Sequence, residues 1–168
     1  MMKNKGKKIL LLTIISISGL LVAQTISYEN MLATLLKKTV EPIKVKTASY
    51  SKSAYFLDTR TKTEFEISHI KNAQWIGFKE FNINKLKNIP KNAEIIVFCS
   101  VGARSEQIGE KIKKAGFTNV KNLWGGLFQW VNEGYPIFDK NEKITQKVHA
   151  YSPEWGVWLL KGEKVYKK

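Results

Sequence analysis

The stretch Ile95-Ile96-Val97-Phe98-Cys99-Ser100-Val101-Gly102-Ala103-Arg104-Ser105 decides the fold. Its first four residues are all apolar and β-prone, the pattern of a strand covered on both faces. Ile108, Ile112 and Ala115 follow at helical spacing, and Gly116 stands where a helix end needs a left-handed residue. The chain therefore runs strand, tight loop, helix over Ala103 to Ala115, with a thiol at the turn. Backbone N–H groups of such a loop and the positive end of the helix stabilise an anion. The thiolate is the nucleophilic form of cysteine, so Cys99 is the candidate nucleophile. The main-chain amides of Ser100, Val101, Gly102, Ala103 and Arg104 are the candidate binding cradle, to which Arg104 adds a fixed positive charge.

Working outward, Tyr55-Phe56-Leu57 before Asp58, Ala73 to Ile76 and Asn119 to Asn122 read as short strands. Lys62 to Glu66, Lys79 to Leu86 (stopped by Pro90) and Leu123 to Asn132 (ending near Gly134) read as helices. An amphipathic helix is expected over Glu29 to Lys38, with Met31, Leu32, Leu35 and Leu36 on one face, Ser27 as its cap and Pro42 beyond its end. Ile43 to Ser53 reads as a loop with one short strand. Strands alternating with helices imply an α/β domain, a central, mostly parallel sheet with helices on both faces. In such sheets ligands bind beyond the carboxyl ends of the strands, which is where Cys99 lies.

Composition excludes several alternatives. One cysteine in 168 residues allows no internal disulfide. His69 and His149 are far apart with no ligand spacing around them, so no metal and no cofactor is expected. The 28 basic and 14 acidic residues give a net charge of +14, and setting aside Lys3, Lys5, Lys7 and Lys8 leaves +10. The lysines are dispersed, which suits attraction of small anions. No nucleic-acid recognition motif accompanies them, and no nucleic-acid partner is expected.

Three segments emerge. Residues 1–24 pair a basic head with an uncharged apolar run, Ile9 to Ala23, and read as a signal peptide or an N-terminal membrane anchor. The expected location is the periplasm or cell envelope, by export or, alternatively, by anchoring in the membrane through residues 9–23. Residues 25–140 form the α/β domain. Residues 141–168 form an aromatic extension expected to pack on it; there Ser152 and Pro153 start a short helix with Trp155, Trp158 and Leu159 on one face.

Four motifs in order resemble the rhodanese-like sulfurtransferase family: Leu57-Asp58-Thr59-Arg60, Ser68-His69-Ile70-Lys71-Asn72-Ala73, Cys99 to Ser105, and Leu123-Trp124-Gly125-Gly126 through Trp130 to Gly134-Tyr135-Pro136-Ile137. The resemblance covers roughly Ile26 to Phe138. It implies a three-layer open α/β domain that moves a sulfane sulfur from a small anionic donor (thiosulfate, a persulfide or a polysulfide) to a thiol or cyanide acceptor through a Cys99 persulfide. It also implies supporting places for Asp58, Arg60, His69 and Ser105. Asp58 and Arg60 read as a hydrogen-bonding pair at a strand end, and His69 as a satisfied turn residue. Where many members carry a second arginine directly after the cysteine, this chain has Ser100. Four residues separate Cys99 from Arg104; the related phosphatase-type loops have five, and the shorter loop suits sulfur. The alternatives are a non-catalytic sulfur-carrier or protein-binding module and, more remotely, an arsenate reductase or phosphatase.

Overall fold

A computed structural model describes residues 23–166. The leader reading falls mainly on residues 1–22, which lie outside the described residues. Among the described residues, no helix is long and apolar enough to cross a membrane.

Helix α1 covers residues 23–35, followed by β1 (Glu41–Ile43), α2 (Val45–Ser49), β2 (Tyr55–Asp58), α3 (Lys62–Ile67) and β3 (Gln74–Trp75). After a 3-10 turn at Ile83–Leu86 come β4 (Ile95–Phe98), α4 (Ala103–Lys114), β5 (Val120–Leu123) and α5 (Gly126–Asn132). The chain closes with β6 (Ile137–Phe138), β7 (Ile144–Thr145), β8 (Lys147–His149), α6 (Pro153–Gly156) and β9 (Glu163–Val165).

The first five strands make one sheet in the order β1-β5-β4-β2-β3, every pair parallel. Strand β4 is central, and its side chains alternate between two cores. Ile96 and Phe98 join Leu32, Leu36, Leu123, Leu127 and Phe128 on one face. Ile95 and Val97 join Leu57, Ile108 and Ile112 on the other. Both faces of β4 are thus dry, which explains why its sequence is apolar at every position rather than at every second one. Helix α4 is anchored by its own first turn: Glu106 accepts the N–H groups of Lys37 and Thr39 at 3.0 Å each, fixing the connection from α1 to β1.

Several local expectations change. Helix α1 already runs at residue 23 and stops at 35, so Ser27 lies inside it rather than at its cap. The segment read as a loop, Ile43 to Ser53, holds α2, and Pro42 sits within β1; as an edge strand, β1 tolerates the missing donor. The expected helix over Lys79 to Leu86 shrinks to the 3-10 turn, capped by Asn82, whose side chain accepts from the Asn84 N–H at 2.9 Å. Leu123 ends β5 instead of opening α5, because Gly125, the cap, and Gly126, the first residue of the helix, both take positive φ. Helix α6 is a single turn, and Ser152 makes no side-chain cap; its hydroxyl donates to Glu154 instead.

The C-terminal segment is fastened to the domain. Its β8 and β9 pair in parallel. Val148, Ala150 and Leu159 are buried in the core that holds Ile96 and Phe98. The Trp158 ring stacks on Tyr28 of α1 with centroids 5.5 Å apart, and the Asn132 side chain of α5 bonds Trp158 O and the Leu160 N–H.

Candidate active site

Cys99 follows the last residue of β4, so the central strand aims the chain into the loop. Gly102 closes that loop with φ +110, which a side chain would resist, and its N–H donates to Cys99 Sγ at 3.1 Å. Of the amides expected to cradle the sulfur, this is the one placed on it. The bond favours negative charge on Sγ.

The loop is held from three sides. From β5, Asn122 Nδ2 donates to Gly102 O at 3.0 Å, and Ser105 Oγ lies 2.7 Å from Asn122 Oδ1. From α5, the Leu127 N–H donates to Cys99 O at 2.8 Å and the Phe128 N–H to Ser100 O at 3.0 Å. These bonds turn the loop carbonyls toward α5. They also explain Gly126: a Cβ there would stand 2.4 Å from Cys99 O. From α3, Glu64 takes Arg104 in a forked pair, Nη1 to Oε2 at 2.8 Å and Nη2 to Oε1 at 2.7 Å. Ser100 Oγ donates to Glu64 Oε1 at 3.2 Å and accepts from Arg104 Nη2 at 3.0 Å. Glu64 also closes a capping box with Thr61 at the start of α3.

The electrostatics follow from that pair. Burial alone would raise the Glu64 carboxyl, but the Arg104 hydrogen bonds and the charges of Arg60 and Arg104 overcome it and hold the group at about 2. For Arg104, burial works against the charge, while Glu64 and the charge on Cys99 more than restore it. Burial raises the Tyr28 hydroxyl well above its usual value, with the charge on Cys99 adding to it; that hydroxyl donates to Gly125 O at 2.9 Å.

Although only 1% exposed, Cys99 lines a cavity of about 130 Å³. Ser100, Val101, Ala103 and Arg104 line it from the loop, and Tyr151 and Trp155 from the C-terminal segment. The expected cradle residues thus converge, with Gly102 supplying the amide and Ser105 bracing the loop from behind. Asp58, Arg60 and His69 do not line the cavity. Arg60 grips Asp58, Nη2 to Oδ2 at 2.6 Å, and its Nη2 also donates to Ser68 O at 2.6 Å. His69 stacks on Phe65 and places Nδ1 3.0 Å from Phe65 O and Nε2 3.0 Å from Glu142 Oε1. No group of three His, Cys, Asp or Glu among the described residues is arranged to hold a metal ion.

Sequence reading missed Glu64, Asn122, Tyr151 and Trp155. For Glu64 a signal existed, since Thr61-Lys62-Thr63-Glu64 has capping-box spacing. For the two aromatic residues none did.

The architecture around this loop is shared by known proteins. The profile of the rhodanese-like domain matches residues 36–133, more than half of the chain. The chain belongs to the rhodanese-like family. It is 32% identical over 81 residues to a sulfurtransferase of Allochromatium vinosum, covering 48% of this chain and 75% of that one. Over 81 residues it is also 32% identical to the probable adenylyltransferase/sulfurtransferase MoeZ of Mycobacterium tuberculosis, covering 48% of this chain and 21% of that protein. The chain spans only 20% to 39% of the length of several of the curated relatives it matches. Among solved structures, a rhodanese-like domain protein from Staphylococcus aureus superposes with a TM-score of 0.53 at 25% identity, covering 60% of this chain and 98% of that one. A rhodanese-related protein from Thermoplasma volcanium gives 0.52 at 27% identity, covering 58% and 96%. The rhodanese-like match ends at residue 133, so Tyr151 and Trp155 lie outside it.

Proposed function

We propose that this protein is a sulfurtransferase that carries sulfane sulfur on Cys99. The observation that supports the reading best is a sulfur atom that receives a backbone N–H at 3.1 Å and also lines a cavity. The Cys99 thiolate attacks the outer sulfur of a donor such as a polysulfide or thiosulfate. The S–S bond of the donor breaks, the leaving group (a shorter polysulfide, or sulfite) departs with the electron pair, and a persulfide forms on Cys99. A thiolate or cyanide acceptor then attacks the outer sulfur of that persulfide, takes it away and returns the Cys99 thiolate. Each step exchanges one bond to sulfur for another, so no external oxidant or reductant is consumed. The Gly102 N–H and the adjacent loop stabilise the anion at rest and when the leaving thiolate is reborn.

In this reading Arg104 is a positioning residue. Its guanidinium is hydrogen-bonded to Glu64, so it stiffens the loop, and its charge reaches Cys99 through space rather than by direct contact. The basic head and apolar run of residues 1–24 support a site of action outside the cytoplasm, exported or held to the membrane by residues 9–23. Intact mass spectrometry of the protein isolated from its host reads both points: the mature amino terminus, and a gain of one sulfur atom on Cys99 after exposure to a donor. Cys99→Ser loses that gain and turnover while remaining folded. If no sulfane donor adds sulfur to the wild type, the assignment fails.

A further inference from the structure

We propose that Tyr151 and Trp155 are specificity-determining walls of the Cys99 pocket, restricting it to small sulfane donors such as short inorganic polysulfides against persulfides carried on bulky thiols. The inference deepens the sulfurtransferase reading and rests on it. Both residues line the cavity over Cys99, yet they arrive from a segment some fifty positions downstream, beyond the rhodanese-like match. The cavity, about 130 Å³, is well below the roughly 300 Å³ at which pockets for drug-sized ligands begin. Its walls are largely apolar, and its one charged lining residue, Arg104, is bonded to Glu64.

The walls are fixed in place. The Tyr151 ring stands 5.2 Å from the Arg104 guanidinium, so the residue that braces the loop also seats the wall. Tyr151 adopts φ +65, an uncommon conformation for a bulky side chain. That backbone is held by its N–H donating to His149 Nδ1 at 3.1 Å and by the Ala150 N–H donating to Val165 O of β9 at 2.9 Å. One turn on, Gly156 packs so closely under Tyr166 that a Cβ would lie 2.5 Å from its hydroxyl. Trp155 reaches the pocket from that turn. Tyr151 is 54% exposed, which puts its ring at the rim, where the body of a large donor would collide. A short polysulfide reaches Cys99 without crossing it.

The experiment compares kcat/KM with inorganic polysulfide and with glutathione persulfide for the wild type, Tyr151→Ala, Trp155→Ala and Tyr151→Phe. The wild type favours polysulfide. Tyr151→Ala lowers that preference by roughly tenfold, the low end for a steric change in a binding pocket, while Tyr151→Phe keeps it. Because Cys99 is the only cysteine, the rate of its alkylation by iodoacetamide relative to a fluorescein-sized maleimide reads the same wall without sulfur transfer. That ratio falls in Tyr151→Ala. Tyr151 is exposed enough that this variant folds even if Trp155→Ala does not. If both ratios stay at wild-type values in folded Tyr151→Ala, the wall assignment is overturned. If no donor loads Cys99 but the alkylation ratio still falls, the sulfurtransferase reading fails and the wall stands as a steric gate over the thiol.

Discussion

Replacing Glu64 with Gln removes the one carboxylate that Arg104 engages while keeping the side-chain shape. In the folded protein the Glu64 carboxyl is held at about 2 against an ordinary 4.5. At 1.36 kcal/mol per pH unit, that drop corresponds to roughly 3 kcal/mol of stability at neutral pH. The side chain of Glu64 is 2% exposed and that of Arg104 20%, so screening trims the figure only modestly. Because the folded value lies below the unfolded one, the contribution is complete above about pH 4.5 and is lost as the pH falls toward 2. Urea denaturation of the wild type and Glu64→Gln at pH 7, 4.5 and 3 is the assay. The variant is expected to be about 2–3 kcal/mol less stable at pH 7, with the gap narrowing at pH 3. A gap below about 0.5 kcal/mol at pH 7, the range of an ordinary surface change, refutes the reasoning; so does a gap that does not vary with pH.

In the same variant the freed Arg104 guanidinium lines the pocket, so kcat/KM for thiosulfate, a dianion, is expected to rise several-fold over the wild type, and the gain should fade in high salt. Gly126→Ala would put a Cβ against Cys99 O in a backbone with φ +57; we expect a loss of about 1–3 kcal/mol by thermal denaturation, together with a marked fall in the rate of Cys99 alkylation as the loop shifts. Asp58→Asn strands the fully buried Arg60 guanidinium, whose Nη1 already has no partner, and is expected to cost about 3–5 kcal/mol in urea denaturation; a cost under about 1 kcal/mol would show that Arg60 is solvated or re-paired.

The sheet and the cysteine turn beyond β4 were legible because their signals are local. The run Ile95-Ile96-Val97-Phe98 has no polar position and is short and β-prone, which suits a strand covered on both faces, and the spacing of Ile108 and Ile112 fixes the helix after it. The misread elements lacked such signals. Lys79 to Leu86 has helix-forming residues, yet Phe78, Phe81 and Ile83 pack as singles against the second core, and the chain settles for one 3-10 turn. Pro42 looks like a stop, but an edge strand needs no donor at that position. Glu64 was half legible: the capping-box spacing announces its backbone role, whereas its grip on Arg104 joins residues forty positions apart. The contribution of Tyr151 to the pocket was illegible, since nothing in the segment Ala150-Tyr151-Ser152 distinguishes a pocket wall from any exposed tyrosine until β8 pairs with β9.

Arg104 also bears on how the proposed Cys99 thiolate would be stabilised. An arginine five positions after a cysteine invites the idea that its charge stabilises the thiolate directly. The structure divides that task. The Arg104 guanidinium gives its hydrogen bonds to Glu64, at 2.7 and 2.8 Å, and acts on Cys99 through space, whereas the Gly102 N–H, at 3.1 Å, makes the direct contact with Sγ. A main-chain donor on Gly102, a residue whose carbonyl is held by Asn122, needs no counterion. In the proposed reading anion stabilisation is therefore built into the loop, and the pocket of about 130 Å³ selects among donors by size rather than by charge, since short polysulfides and thiosulfate are both anions.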